Sequence, residues 1–447
     1  MYEIATCNFP KNLKQRSRTL TTIKGYNKTD ENNELLNSST LEDLMWILAS
    51  TVEEVFADES TMPARLEPGS TWAAYNSLII EVKPKNSVQV TAMQNLERIN
   101  KYLQGNDKKL IVTLDLGLYR PVLQLQMALS QRNWFLVPGD LHIQMAQLGA
   151  IGNYIELTGI PEAWVESGLY SETTVKHILD GKPGRRSLKA HIVTVTSLSI
   201  LLLESFFEKN HYLKEGCSAI AIEMRNIWKT KDRCDITTQS HSMRERLKDL
   251  DFPLKLENFF KEKSELSPTF KMVKNYMHMV FSMLAFARST RNANWNLRIA
   301  ALDDFTKYFF ALDLRNYAFL CAWYISEVRS LEILDHETLT QLKSGNWYPN
   351  KSNNPFCCLG VDEALEQENR RLKVLGGIVG ITRRQQTLTK YFLASPEIAK
   401  LTRQADVVSS SSNKAMHHEV NNAISTRQNR NVIALLQCLS SYTNPFQ

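Results

Sequence analysis

Apolar residues recur at helical spacing over most of this chain and at strand-like spacing over only a short part of it. From 41 to 60, LEDLMWILASTVEEVFADES sets Leu44, Ile47, Leu48, Val52 and Val55 on one side of a helix. The residues before it, 1–40, are polar and rich in Asn, Thr and Lys, and read as a poorly ordered arm. Between 75 and 145 the period changes. YNSLIIEVKPKNSVQV (75–90) is β-branched and broken by turn formers, and VTAMQNLERINKYLQ (90–104) returns to helix. LIVTLDLGLY (110–119) and WFLVPGDLHI (134–143) are apolar runs that deliver Asp115 and Asp140, with a helix over 120–132 between them. Strands alternating with helices across short loops predict a small, mainly parallel or mixed sheet.

Beyond 141 the pattern is almost wholly helical, with segments at 141–160, 171–180, 186–209, 217–230, 241–261, 268–289, 295–312 and 314–330 separated by Gly, Pro or charged breaks. After the turn-rich WYPNKSNNPFCC, a helix over 361–375 carries a polar stripe and stops at Gly376-Gly377, where glycine takes a left-handed backbone without steric cost. The end is polar, with a short last helix at 431–440. The predicted class is α+β. Its divisions are an arm (1–40), a helix and sheet region (41–145), a helical region (146–355), a returning helix (356–403) and a weakly ordered tail (404–447).

A chain of 447 residues with 43% hydrophobic positions can bury a large core, which excludes a disordered class. Lys and Arg (53) exceed Asp and Glu (47) by six, a mild basic excess compatible with a nucleic-acid partner. The seven cysteines form no CxxC pair and read as reduced thiols of an intracellular protein. His211, Cys217, Cys234 and His241 lie near one another in sequence, but at no recognised zinc spacing. The first residues lack the apolar core of an export signal. HIVTVTSLSILLLESFF (191–207) is short for a span and reads as a buried helix, so no membrane association is expected. Phosphate-loop, dinucleotide, nucleophile-elbow and zinc-helix motifs are all missing, so no nucleotide cofactor is expected.

What remains is acidic. Two-metal phosphodiester chemistry needs carboxylates converging on a sheet edge, and hard oxygen donors suit Mg²⁺ or Mn²⁺. Asp115 and Asp140 stand at strand ends, where side chains are exposed. In DEALEQENRRLKVLGGIVGIT (362–382), Glu366 could supply a third ligand from a packed helix, with Asp362 and Glu363 competing for that role. The plainer alternative is that Asp115 caps the helix after it, Asp140 closes a Pro-Gly turn and Glu366 is solvated.

The combination of DLGLY, GDLHIQMAQLGAIG, AWVESGLY, ILDGKPGRRSLKAH, NWNLRIAALDDF and DEALEQENRRLKVLGGIVGIT resembles a family of uncharacterised transposon-associated proteins of invertebrates and fish, over roughly 70–400. The order of these acidic segments is more distantly similar to Zisupton-type DDE transposases. That resemblance implies a ribonuclease H-like fold with a large helical insertion, a DNA partner and a nuclear setting. It also implies Asp115 as first metal ligand, Asp140 or His142 as second and Glu366 as third. Two departures stand against it. A helix follows Asp115 directly, where a ribonuclease H-like fold runs three antiparallel strands, so either the fold is rearranged or Glu81 in LIIEVKP is the first ligand. The N-terminal region also lacks Cys/His fingers, as a domesticated or decayed fragment would. The leading expectation is a transposon-derived, ribonuclease H-like nuclease or transposase-like protein that binds DNA and uses Mg²⁺ or Mn²⁺ at Asp115, Asp140 and Glu366; the alternative is a non-catalytic, mostly helical DNA-binding or protein-interaction scaffold.

Three basic groups could hold a nucleic acid. Lys182, Arg185, Arg186 and Lys189 crowd a helix start beside a Gly-Pro-Gly break, where charge and free backbone N–H groups could hold phosphates. Arg370 and Lys373 flank the acidic helix. Arg288, Arg291 and Arg298 surround Trp295, a mix able to stack a base or to anchor a core. His177, His191, His278 and His336 each stand alone on helical stretches and read as polar or core histidines.

Overall fold

The computed structural model describes residues 30–52, most of 93–230, 242–345, 348–350, 358–374, 422–442 and Phe446. The strand-like run at 75–90, Glu81 within it, and Cys234 and His241 lie outside the described residues.

Helix α1 (Asp30–Val52) begins ten residues before the predicted arm ends, and every residue from Glu42 to Ser50 is buried. A helix buried around its whole circumference lies at the centre of a bundle rather than on its surface. Its two adjacent acids are therefore inside the protein, and each meets an arginine. Asp43 pairs with Arg288, which also donates to Ser39 Oγ at 2.8 Å, while Glu42 stands 3.8 Å from Arg244. The Arg225 guanidinium lies 4.7 Å from the Trp46 ring centre.

Next comes a β-α-β unit: β1 (Leu110–Leu114), α2 (Leu116–Ala128) and β2 (Trp134–Pro138). The strands pair in parallel, with Leu110 opposite Trp134 and Leu114 opposite Pro138. Among the described residues the sheet is two-stranded and parallel, not mixed. A parallel pair needs both faces covered, and the wholly buried WFLVP of β2 meets that need.

The remainder is helical: α3 (Asp140–Ile155), α4 (Ile160–Glu166), α5 (Glu172–Leu179), α6 (Gly184–Lys209) and α7 (His211–Thr230) come first. Helix α8 (242–249), α9 (Phe252–Leu266), α10 (Pro268–Arg291), α11 (Trp295–Ala311), α12 (Arg315–Leu334) and α13 (His336–Lys343) follow. The series ends with α14 (Val361–Val374) and α15 (Asn422–Ser441). The α+β class stands. The segment expected as one helix over 241–261 divides where Asp251 takes a left-handed backbone (φ 57°) and Pro253 opens α9. The last helix starts at Asn422, nine residues earlier than the apolar period alone placed it.

Helix α6 is long and apolar enough to cross a membrane, and among the described residues no other helix is. Most of that apolar stretch is buried against the protein's own helices. On its inner face His191 is fully buried, its Nδ1 3.1 Å from Tyr276 Oη and its ring 5.7 Å from that of Trp164. Most of the basic-aromatic cluster is internal too, with Arg291 its exposed member. Arg288, Trp295 and Arg298 are all buried, so their role is in packing rather than in an exposed base-stacking surface.

Burial pushes the His191 pKa down to about 3, so the folded protein holds this ring neutral where the unfolded chain would protonate it. A folded-state value below the unfolded one gives stability that is present above pH 6.5 and lost as pH falls towards 3. The expected loss in denaturant unfolding is about 1.4 kcal/mol per pH unit across that window. His191→Phe should flatten that acid limb; an unchanged limb would place the titrating group elsewhere.

Candidate functional site

The carboxyl ends of β1 and β2 open onto the N-termini of α2 and α3, which is where ligands gather in open α/β sheets. Asp115 stands at the first of these junctions. Its backbone is extended (φ −70°, ψ 169°), and its Oδ1 accepts a hydrogen bond from the Leu118 amide at 2.8 Å, which makes it the N-cap of α2.

Asp140, at the second junction, turns inward and is buried. Its Oδ1 accepts from Arg298 Nε at 2.8 Å and Nη2 at 2.6 Å, and its Oδ2 accepts from Thr290 Oγ1 at 2.9 Å. Arg298 is itself wholly enclosed. It donates further to Tyr324 Oη at 2.9 Å and the Pro138 carbonyl at 3.2 Å, with the rings of Phe286, Trp295 and Tyr324 around the guanidinium. Burial pushes the Asp140 carboxyl up from its ordinary value against the pull of Arg298. Burial works against the charge on Arg298 as well, but Asp140 and the nearby phenols outweigh it and hold the guanidinium protonated. The two charges persist because each is the other's partner.

The centre of the strand ends is taken by Asp362, in the first turn of α14. Its carboxylate accepts from the backbone amides of Leu141 at 3.2 Å and His142 at 3.1 Å, and lies 2.9 Å from His142 Nδ1. It thus caps α3 from a distant part of the chain, where the helix dipole favours a negative charge. Gly139 makes room for it, since a Cβ there would overlap Asp362 Oδ2. The His142 pKa is raised, chiefly by the hydrogen bond to Asp362 and against partial burial, with Asp115 and Glu366 adding to the rise. Those two carboxylates therefore share His142's surroundings. Glu366 is exposed, and Glu363 is half-buried and accepts from Gln367 at 3.4 Å.

The strand ends thus gather Asp115, His142, Asp362 and Glu366, and exclude Asp140 from the open space. This donor set does not fit a hard divalent cation as it stands. Both Asp140 oxygens are held by Arg298 and Thr290, Asp362 is saturated by N–H donors, and among the described residues no three acidic, His or Cys side chains are placed to share an ion. Of the four His and Cys residues near one another at 211–241, Cys234 and His241 lie outside the described residues, and Cys217 is a buried thiol whose pKa burial pushes up to about 12. A periodic pattern could not have located Arg298, the partner that decides the fate of Asp140. Its only sequence signal is an arginine on an otherwise apolar helix, in NLRIAAL.

An open groove of about 440 Å³ runs along α3, lined by Met145, Gly149, Asn153, Asp180, Lys182 and Tyr317 among others. The turn after α5 can approach because Gly152 has no side chain; a Cβ there would strike the Leu179 carbonyl. Tyr317 joins groove and acidic cluster, its phenol raised by burial and, further, by Cys321, Asp115 and Asp362. Lys182, Arg185 and Arg186 are exposed where α6 begins, with Lys189 half-buried one turn on. Among the described residues none of these four forms an ion pair. Arg370 and Lys373 lie on α14, with side chains outside the described residues.

The chain belongs to a family described as a domain of unknown function (DUF8702), whose model matches residues 73–447. No curated protein and no solved structure matches it.

Two outcomes follow from this geometry. Arg298→Met leaves Asp140 charged and buried without its partner, so unfolding free energy should fall by about 3–5 kcal/mol in denaturant titration; a loss below 1 kcal/mol would mean that the pair is dispensable. His142, with its folded pKa raised above 6.5, contributes stability that is complete below pH 6.5 and fades as pH rises through the folded value. His142→Gln should remove that alkaline decline, and its persistence in the variant would assign it to another group.

Proposed function

We propose that this chain is a non-catalytic, mostly helical scaffold that binds nucleic acid, descended from a transposase-like protein. The observation that carries this reading is the engagement of both Asp140 oxygens by Arg298 and Thr290, which buries the second position of a DDE-type acidic centre in a salt bridge. The partner class is supported by Lys182, Arg185 and Arg186, exposed where α6 begins and beside an open groove. Cations at a helix N-terminus hold phosphates by charge and by the helix's free amides together. The net charge of +6 favours such a partner, and a nuclear location belongs to this reading alone.

A second reading, a ribonuclease H-like nuclease using Mg²⁺ or Mn²⁺, draws its support from Asp115, His142 and Glu366 sharing one neighbourhood at the strand ends. It requires Asp140 to leave Arg298 before it can ligate.

Fluorescence anisotropy with single- and double-stranded DNA at several salt concentrations tests the scaffold. Binding should weaken with salt, and Lys182→Ala, Arg185→Ala and Arg186→Ala should each lower the duplex salt slope by about 0.9, the value for one lost phosphate contact. Salt-independent or absent binding would remove the nucleic-acid partner. Incubation of the same DNA with Mg²⁺ or Mn²⁺ should leave it intact. Metal-dependent cutting that Asp115→Ala and Glu366→Ala both abolish would replace the scaffold with the nuclease.

A further inference from the structure

Over its described side chains, 361–367, helix α14 reaches the strand ends with little buried apolar surface. In VDEALEQENRRLKV, Asp362 is the one side chain among the described residues of the helix that is buried, while Leu365 is 39% exposed and Glu366 is open to solvent. An amphipathic helix is ordinarily held by an apolar stripe. The described turns of this one are held by a charge. The Asp362 carboxylate takes the Leu141 and His142 amides and the His142 ring at 2.9–3.2 Å. It fits because two neighbouring backbone positions carry no side chain. A Cβ on Gly139 would overlap its Oδ2, and one on Gly360 would stand 2.9 Å from its Oδ1 and 3.1 Å from Asp140 Cβ. The fastening is thus specific in shape and dependent on one side chain. Behind it, Asp140 is paired with Arg298 in the core.

We propose that α14 is a strap, fastened across the carboxyl ends of β1 and β2 by Asp362, which opens as a unit without unfolding of the core and so controls access to Asp115, His142 and the N-terminus of α3. Local opening of this kind is expected where a segment has few apolar contacts and its attachment rests on polar groups. The inference rests on how α14 is attached and is independent of whether the chain binds nucleic acid.

Two variants release the strap by different physics, which keeps a simple folding defect from imitating the result. Asp362→Asn keeps the shape and removes the charge. Gly139→Ala keeps the charge and blocks the seat with a methyl group. Hydrogen exchange of the full chain, followed by mass spectrometry, reads the amides of α14, beginning with Ala364, which donates to the Gly360 carbonyl at 2.9 Å. In the wild type, α14 should exchange by local opening, faster than α10 and α11. Each variant should speed its exchange on the order of 10–100-fold, the worth of a hydrogen bond to a charged group, with α10 and α11 unchanged. Exchange of α14 at the rate of α10 and α11 in the wild type would overturn the proposal, as would variants that speed all three helices together or leave α14 unaffected.

Discussion

The buried pair between Asp140 and Arg298 is the interaction on which the site depends. It joins the end of β2 to α11, and through the further bonds of Arg298 and Asp140 it gathers Pro138, Tyr324 and Thr290 around one guanidinium and one carboxylate. Burying two charges is costly, and the attraction between them repays that cost only when geometry is good and the other donors are satisfied. Here the carboxylate takes three hydrogen bonds and the guanidinium gives four. The acid that the sequence sets at a strand end is a joint between sheet and bundle.

The same device recurs through the protein. Asp43 meets Arg288, Asp303 accepts from Arg329 at 3.0 Å and Asn32 at 3.1 Å, and Asp304 meets His278 at 2.8 Å and Lys307 at 2.6 Å. Adjacent acids in α1 and α11 send their partners to different helices. Such pairs contribute little net stability compared with apolar packing, but removing one member strands the other, so they fix which helices can be neighbours. Helix α1 illustrates this. It precedes the residues that the family model matches, which begin at 73, yet it fills the centre of the bundle and brings two of the acids that the arginines require.

Much of the fold was legible in the sequence because hydrophobic period reports local burial. The strands ending near Asp115 and Asp140, the helix between them, and the helical region beyond 141 all follow from it. The capping role of Asp115, read as the plainer alternative, is what its bond to Leu118 makes it. Less legible was anything decided by partners far apart in the chain. Asp140 looked like an edge carboxylate because no local pattern announces Arg298, and Asp362 looked like a competitor of Glu366 although it faces the α3 amides. Trp295 with its arginines could be read as a base-stacking group, though more readily as a core anchor, and its burial places it in the core. The last helix was legible at 431–440 but starts at Asn422, and Phe446 after it lies in the core, where its carbonyl accepts from Ser205 Oγ at 2.6 Å.

The central claim is that Asp140 is a structural charge rather than a metal ligand. Thermal unfolding of the wild type and Asp140→Asn, each with and without Mn²⁺, tests it most directly. This account predicts that Asp140→Asn lowers the melting temperature without metal and that Mn²⁺ raises it in neither protein. A Mn²⁺-dependent rise in the wild type that vanishes in Asp140→Asn, with the metal-free melting temperatures equal, would contradict it.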